Sequence, residues 1–200
     1  MTAFPRTIKP RRTTMPMMPG PLVSVGQSGK VTTRGSGTVG RTWSEEFWFD
    51  VSGTNGRAFV AQCQSYMHNG TSLTLAHQDM TTLLGAGGSL IKVKGSAQTG
   101  SGIVIDGLAT SSTILKVGDL VTFANINTVY DVMADVITTA VASATMTINP
   151  PILSGGSPAD NAVVTPTGTV VFTAIIESLD IEESGPNNFA KMTVNFRETP

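Results

Sequence analysis

Residues 95–166 read GSAQTGSGIVIDGLATSSTILKVGDLVTFANINTVYDVMADVITTAVASATMTINPPILSGGSPADNAVVTP, and this stretch decides the fold. Short β-branched runs recur in it, bounded by turn formers: Gly118-Asp119, Asn125 to Asn127, Pro150-Pro151 and Ser154-Gly155-Gly156-Ser157-Pro158. Such spacing predicts strands near 102–107, 113–117, 119–124, 128–134, 143–149 and 161–165, with one more at 89–94. Breaks at these short intervals are those of a small barrel or sandwich. The run Ile148-Asn149-Pro150-Pro151 reads as a strand exit. Side chains suited to catalysis are scarce here, which points away from an enzyme and toward a piece of assembled architecture.

The flanks look like two halves of another unit. Phe47, Phe49 and Val51 alternate on one face of a predicted strand, and a short strand is expected between Pro21 and Gly29. Phe59, Val60, Cys63, Tyr66 and Met67 are spaced by threes and fours, which predicts one helix of about three turns. Thr54 or Asn55 is placed to cap its start, and Asn69-Gly70 to end it, before a strand from Ser72 to Ala76. At the far end Val170, Phe172, Ala174 and Ile176 alternate, as do Met192, Val194 and Phe196; the turn Ser184-Gly185-Pro186-Asn187-Asn188 joins the two runs as a hairpin. The expected architecture is therefore mainly β: a β-sandwich or split-barrel domain with one short helix, 21–88 and 167–200, and a small β-barrel inserted at 89–166. An extended N-terminal arm, 1–20, precedes both.

Composition agrees. Apolar residues make up 40% of the 200-residue chain, enough for real cores, while charged residues are only 14%, fewer than long surface helices need. A formal net charge of −1 gives a monomer little electrostatic protection from association, which favours burial in an oligomer. The charge is unevenly placed. Up to Arg34 every charged side chain is basic (Arg6, Lys9, Arg11, Arg12, Lys30 and Arg34), and the rest of the chain is acidic. An arm of this kind lies on an acidic neighbour or on nucleic acid, or is simply a solvated leader. No aromatic interleaves its basic residues as a stacking platform would require, so nucleic acid is the weaker partner. Its four prolines suggest an extended path that orders only on assembly. The Met15-Pro16-Met17-Met18-Pro19 run is too short and too broken for a signal sequence, and no apolar run approaches a membrane span, so neither secretion by that route nor membrane insertion is expected.

Gly35-Ser36-Gly37-Thr38-Val39-Gly40 matches the dinucleotide fingerprint in letters, but Trp43 to Phe49 reads as strand where that motif needs a helix. A flexible link is the simpler account. His68 and His77, with Asp79, could meet around a metal, or be ordinary turn and surface residues. Cys63, the single cysteine, excludes a disulfide within the chain and sits on the apolar helix face, where a thiol is usually inert packing. Asp131/Asp135 and Glu182/Glu183 read as rim charges before they read as glycosidase carboxylates. Asn69-Gly70-Thr71 fits a glycosylation sequon but is already explained as a helix end. Trp43 and Trp48 are either interface anchors or core. The expected partner-contact residues are thus Arg6, Lys9, Arg11, Arg12, Trp43 and Trp48; no catalytic, cofactor or metal residue is assigned.

From residue 40 onward the order of elements is familiar. Strand, helix and strand are followed by an inserted barrel carrying Val117-Gly118-Asp119-Leu120, Val129-Tyr130-Asp131-Val132 and Thr147-Ile148-Asn149-Pro150-Pro151, then closing strands ending Val194-Asn195-Phe196-Arg197-Glu198. This resembles the minor tail proteins of long-tailed bacteriophages, and the distal tail protein in particular. The resemblance implies a structural virion protein, made in the host cytoplasm, that forms a homohexameric ring at the tail tip. Its outer strands would build the ring-forming belt. Its partners would be the tail tube protein, the tail hub and tape-measure proteins, with a tail fibre or host saccharide as options for the inserted domain. Two alternatives stay open: a tail-tube or tail-completion ring subunit, and a carbohydrate-binding module that would have only Phe123 and Tyr130 as a sugar platform.

Overall fold

The computed structural model describes residues 2–17, 22–25, 31–34, 40–77, 80, 82–87, 90–109, 112–138, 142–166, 168, 170–184 and 188–199. The chain is mainly β with a single helix among these residues, the class its turn-punctuated sequence predicts. It divides into two compact units, one formed by Met1–Leu75 with Thr173–Pro200 and the other by Ala76–Phe172.

In the first unit the strands are β1 (Thr2–Ala3), β2 (Arg12–Thr13), β3 (Leu22–Val25), β4 (Val31–Arg34), β5 (Thr42–Asp50) and β6 (Leu73–Leu75), with helix α1 (Thr54–His68) between the last two. Two long strands, β15 (Phe172–Ser184) and β16 (Phe189–Glu198), complete it. They form the expected antiparallel hairpin, with a register shift between Ile176 and Ser178; residues 185–187 of its turn lie outside the described residues. A six-stranded sheet runs in the order β1-β6-β15-β16-β5-β2, and β3 pairs only with β4. Alternation along β5 buries Trp43, Glu45, Phe47 and Phe49 on one face, while β16 buries Ala190, Met192, Val194 and Phe196. Helix α1 packs its Phe59 against that face, with ring centroids 4.9 Å from Phe47 and 6.3 Å from Phe49. Phe47, Phe59 and Phe196 are essentially inaccessible to solvent, and burial of each stabilises the unit by roughly 1.5–3 kcal/mol.

One local expectation is corrected. Thr54 and Asn55 do not cap α1: they already lie inside it, Gly53 holds the capping position, and no side chain bonds there. The chain enters the helix through Asp50 instead, whose carboxylate accepts from Ser52 N (2.8 Å) and Ser52 Oγ (2.6 Å), while its carbonyl accepts from Gly53 N (3.2 Å). At the other end Asn69 and the left-handed Gly70 terminate the helix as expected. Within the single chain the N-terminal segment lies on the sheet, and its Phe4 is buried in the core, where the ring exchanges water for apolar contacts.

The second unit contains β7 (Lys92–Val93), β8 (Gly100–Asp106), β9 (Thr113–Leu115), β10 (Leu120–Phe123), β11 (Tyr130–Val132), β12 (Val136–Ile137), β13 (Ser143–Ile152) and β14 (Val164–Pro166). Six of them form a sheet in the order β14-β10-β11-β13-β8-β7. Its ends meet: Val93 N donates to Ala162 O, Asn161 N to Val93 O and Val164 N to Ile91 O, each at 2.9 Å, and Lys92 bridges Val163. The sheet is thereby closed into a small barrel around one core that includes Ile103, Ile105, Val121, Phe123, Met146 and Ile148. β9 and β12 form a separate two-stranded ribbon. The predicted strand exit at Ile148 is not one. β13 continues through Pro150 and Pro151 to Ile152, with a cis Asn149–Pro150 peptide and a register shift between Thr147 and Ile152. A strand that absorbs an irregularity can carry prolines where a regular central strand could not. Gly118-Asp119 makes its turn with Gly118 at a φ of 92°. The buried Asp119 carboxylate accepts from Leu84 N (2.7 Å), Gly85 N (3.1 Å) and Lys116 N (2.8 Å), so it organises the loops at that end of the barrel.

Candidate interaction surface

The N-terminal segment is built across the first unit's sheet. β1 extends the sheet beside β6 in parallel, and β2 extends it beside β5 at the opposite edge. Five interstrand steps of about 4.8 Å separate those edges, roughly 24 Å, and the nine-residue advance from Ala3 to Arg12 covers about 30 Å when extended. Pro5 and Pro10 favour that extended path. The crossing lies on the apolar face. Phe4 sits 6.1 Å from Phe47, 6.0 Å from Phe59 and 5.2 Å from Phe196, measured between ring centroids. Arg6 lies over the Phe4 ring at 5.2 Å and grips Glu45 with two guanidinium nitrogens, Nη1 to Oε2 and Nη2 to Oε1, the second at 3.0 Å. Glu45 is fully buried, so this two-pronged pairing satisfies a carboxylate that water does not reach.

Beyond the crossing the segment lines the β5 edge. Arg11 N donates to Glu46 O at 2.8 Å, Thr14 N to Ser44 O at 2.9 Å, and Met17 exchanges bonds of 3.0 Å with Thr42. Arg11 reaches over the Trp48 ring at 5.6 Å, and Trp48 Nε1 donates to Glu46 Oε1 at 2.7 Å. Arg12 stands opposite Glu46 and is exposed. Lys9, with Thr7, Ile8, Trp48, Asp50 and the start of α1, lines an open groove of about 690 Å³.

The outer face of the sheet carries the second half of the surface. Trp48 is opposite Lys191 and Phe189 is opposite Asp50, which makes Trp48 and Phe189 diagonal neighbours on one face. They are 38% and 48% exposed, high values for aromatic side chains in long strands. Lys191 bonds Glu182 at 2.8 Å, and that bond raises the lysine above its usual range. Arg197 pairs with Glu177 on the same side.

Of the residues expected at a partner contact, the fold brings Lys9 and Arg11 to Trp48, with exposed Arg12 on the same sheet edge, while Arg6 and Trp43 lie on the opposite, apolar face of β5. The Trp43 ring is buried and stacks on Phe196 at 5.4 Å, so between the two readings of that tryptophan the packing selects core. Arg6 is committed within its own chain. Phe123 and Tyr130, the only aromatics available for a sugar platform in the barrel, pack on each other at 5.2 Å in its interior. His68 is exposed at the end of α1 and His77 is buried, while Asp79 lies outside the described residues; among the described residues no three His, Cys, Asp or Glu side chains gather closely enough to hold a metal ion. Burial pushes the Cys63 thiol up to about 12, which keeps it protonated and unreactive. Asp135 accepts from Val117 N at 2.9 Å, and Glu182 holds Lys191; Glu183 lies outside the described side chains. Residues 35–39 of the glycine motif are also outside the described residues. Gly40 itself is accounted for by packing, since a β-carbon there would stand 1.9 Å from Glu198 O.

The burial of four charges escaped the sequence reading: Glu45, Asp119, and the pair Arg41 and Glu198, linked at 3.5 Å beside the close approach at Gly40. The legible signals were Glu45 and Glu198, acids at apolar-face positions of alternating strands. Comparison with protein-family models found no match, and neither did comparison with curated proteins.

Proposed function

We propose that this chain is a structural virion protein of a bacteriophage tail tip, forming a ring that joins the end of the tail tube to the hub and host-attachment apparatus. The observation that carries the reading is the open edge of β15. This strand has thirteen residues; β16 pairs along one side of it, and among the described residues only the three-residue β6 pairs along the other. A long strand with an edge left open is a template for a strand from another chain, and a closed ring of copies uses such edges without leaving any exposed. Trp48 and Phe189, on the outer face of the same sheet, supply the aromatic anchors that protein interfaces favour.

Mass photometry of the purified chain, followed by negative-stain imaging, tests this. Discrete closed rings are the expected result. Stacked tubes would transfer the chain to the tail-tube class, and an inert monomer at micromolar concentration would overturn self-assembly as its function.

A further inference from the structure

We propose that Thr2 to Met17 is an exchangeable arm, which in the assembled protein seats on the sheet of a second copy of this chain and makes there the contacts described above within one copy. The inference rests on the reading of the chain as a self-assembling subunit and names how neighbouring copies are held.

The seat has the properties of a specific receptor. It offers an apolar pocket for one ring, Phe4, and beside it a fully buried carboxylate, Glu45, for one guanidinium, Arg6. A ring and a cation two residues apart on an extended segment form the matching ligand. Every copy carries both halves, so exchange costs no contact that the single chain possesses. Among the described residues the strand pairings of the segment lie in short stretches at the sheet's two edges, and Pro5, Pro10 and Pro16 interrupt it. Chain length permits the transfer. Met17 is bonded directly to Thr42, yet residues 18–41 lie between them in the chain and form the arm's tether. Even with the β3–β4 hairpin intact, residues 18–21 and 35–39 supply up to about 30 Å of reach. Docking within one chain needs almost none of this length, whereas docking on a neighbour needs a span of that order.

The test uses charge reversal. In Arg6→Glu and in Glu45→Arg the arm and seat of one chain repel, so each variant alone should assemble poorly, and the double variant should assemble again. Mixed together, the two single variants can alternate, each arm finding an opposite charge on the other chain. Mass photometry and tag pull-down should then show assemblies containing both chains, restored to the level of the double variant. A mixture that behaves as the sum of its parts, while the double variant assembles, would overturn exchange. A second measurement is independent of that pair. Assemblies are prepared from mixed isotopically light and heavy wild-type chains and cross-linked with carbodiimide, which joins Lys9 to Asp50 across the groove they both line. Cross-linked peptides with one light and one heavy half are expected. Rings that give only light–light and heavy–heavy peptides would overturn exchange and leave the ring standing; a wild-type chain that stays monomeric would overturn both.

Discussion

The two units treat the same hazard, the strand edge, in opposite ways. The inserted unit closes its six-stranded sheet through the bonds between Ile91 or Val93 and residues 161–164, so its strands are paired around the barrel. The ends of the first unit's six-stranded sheet do not meet among the described residues: a segment of its own N-terminus covers the β5 edge, and the short β6 is the neighbour of β15 on the side away from β16. A closed sheet is a finished object, held by its core alone. An open one is stable only if something covers its edges and faces, which makes it the part of the molecule that can respond to a partner. The same contrast appears in the aromatics, since Phe123 and Tyr130 are spent inside the barrel whereas Trp48 and Phe189 face outward from the sheet.

The comparison can be broken most forcefully at the barrel core. Phe123→Ala should destabilise the inserted unit by about 3–5 kcal/mol, seen as a lowered urea midpoint; an unchanged midpoint would mean that the barrel is not held by its interior. Phe4→Ala removes a ring of the same size from the open unit, but its expected effect is release of the arm. Limited proteolysis should cut within the first seventeen residues, while the rest of the sheet stays protected. If the whole unit were digested together, the segment would be part of an indivisible core. Arg6→Ala should follow, at about 3 kcal/mol, the lower end for a buried carboxylate deprived of its partner because Arg6 is itself partly exposed, and Glu45→Gln in the same background should recover much of it.

Smaller still is Trp48→Ala, which should leave the thermal midpoint within a degree or two, as surface substitutions usually do, while weakening self-association in sedimentation. A tryptophan whose loss unfolds the sheet without touching association would be core and not anchor. The smallest effect concerns Asp50. Its bonds from Ser52 and Gly53 hold the carboxyl below its ordinary 3.8. A depressed carboxyl stabilises the folded state above its unfolded-state value and loses that contribution as pH falls through the folded one. The protection of the Ser52 amide and the entry to α1, measured as exchange relative to the intrinsic rate at each pH, should therefore be full at neutral pH and fall below about pH 4, and Asp50→Asn should erase that dependence.

Much of the first unit was legible because alternation is a local property: Phe47 and Phe49 inward with Trp48 outward, the hairpin of β15 and β16, and the helix around Phe59 and Cys63 all follow from spacing. The seat of the arm was hidden for an equally physical reason. A segment rich in proline and positive charge looks unable to join a core, and nothing near Phe4 or Arg6 reveals that Phe196 and Glu45 wait at the other end of the chain and in mid-strand. Position 150 misled in the same way, because whether Asn149-Pro150-Pro151 ends a strand or bends one depends on the neighbours it pairs with.

The sequence by itself therefore determined the β class, the single helix, the periodic faces of the strands and the concentration of positive charge before residue 35, since each depends on side-chain type and on spacing within a few residues. Only the tertiary structure decided which sheet closes and which stays open, that Trp43 is core while Trp48 is surface, and that Arg6 answers Glu45. Those outcomes depend on register and on contacts between residues up to 192 positions apart, as Phe4 and Phe196 are, and long-range pairing is set by the packing of whole faces, which no local pattern encodes.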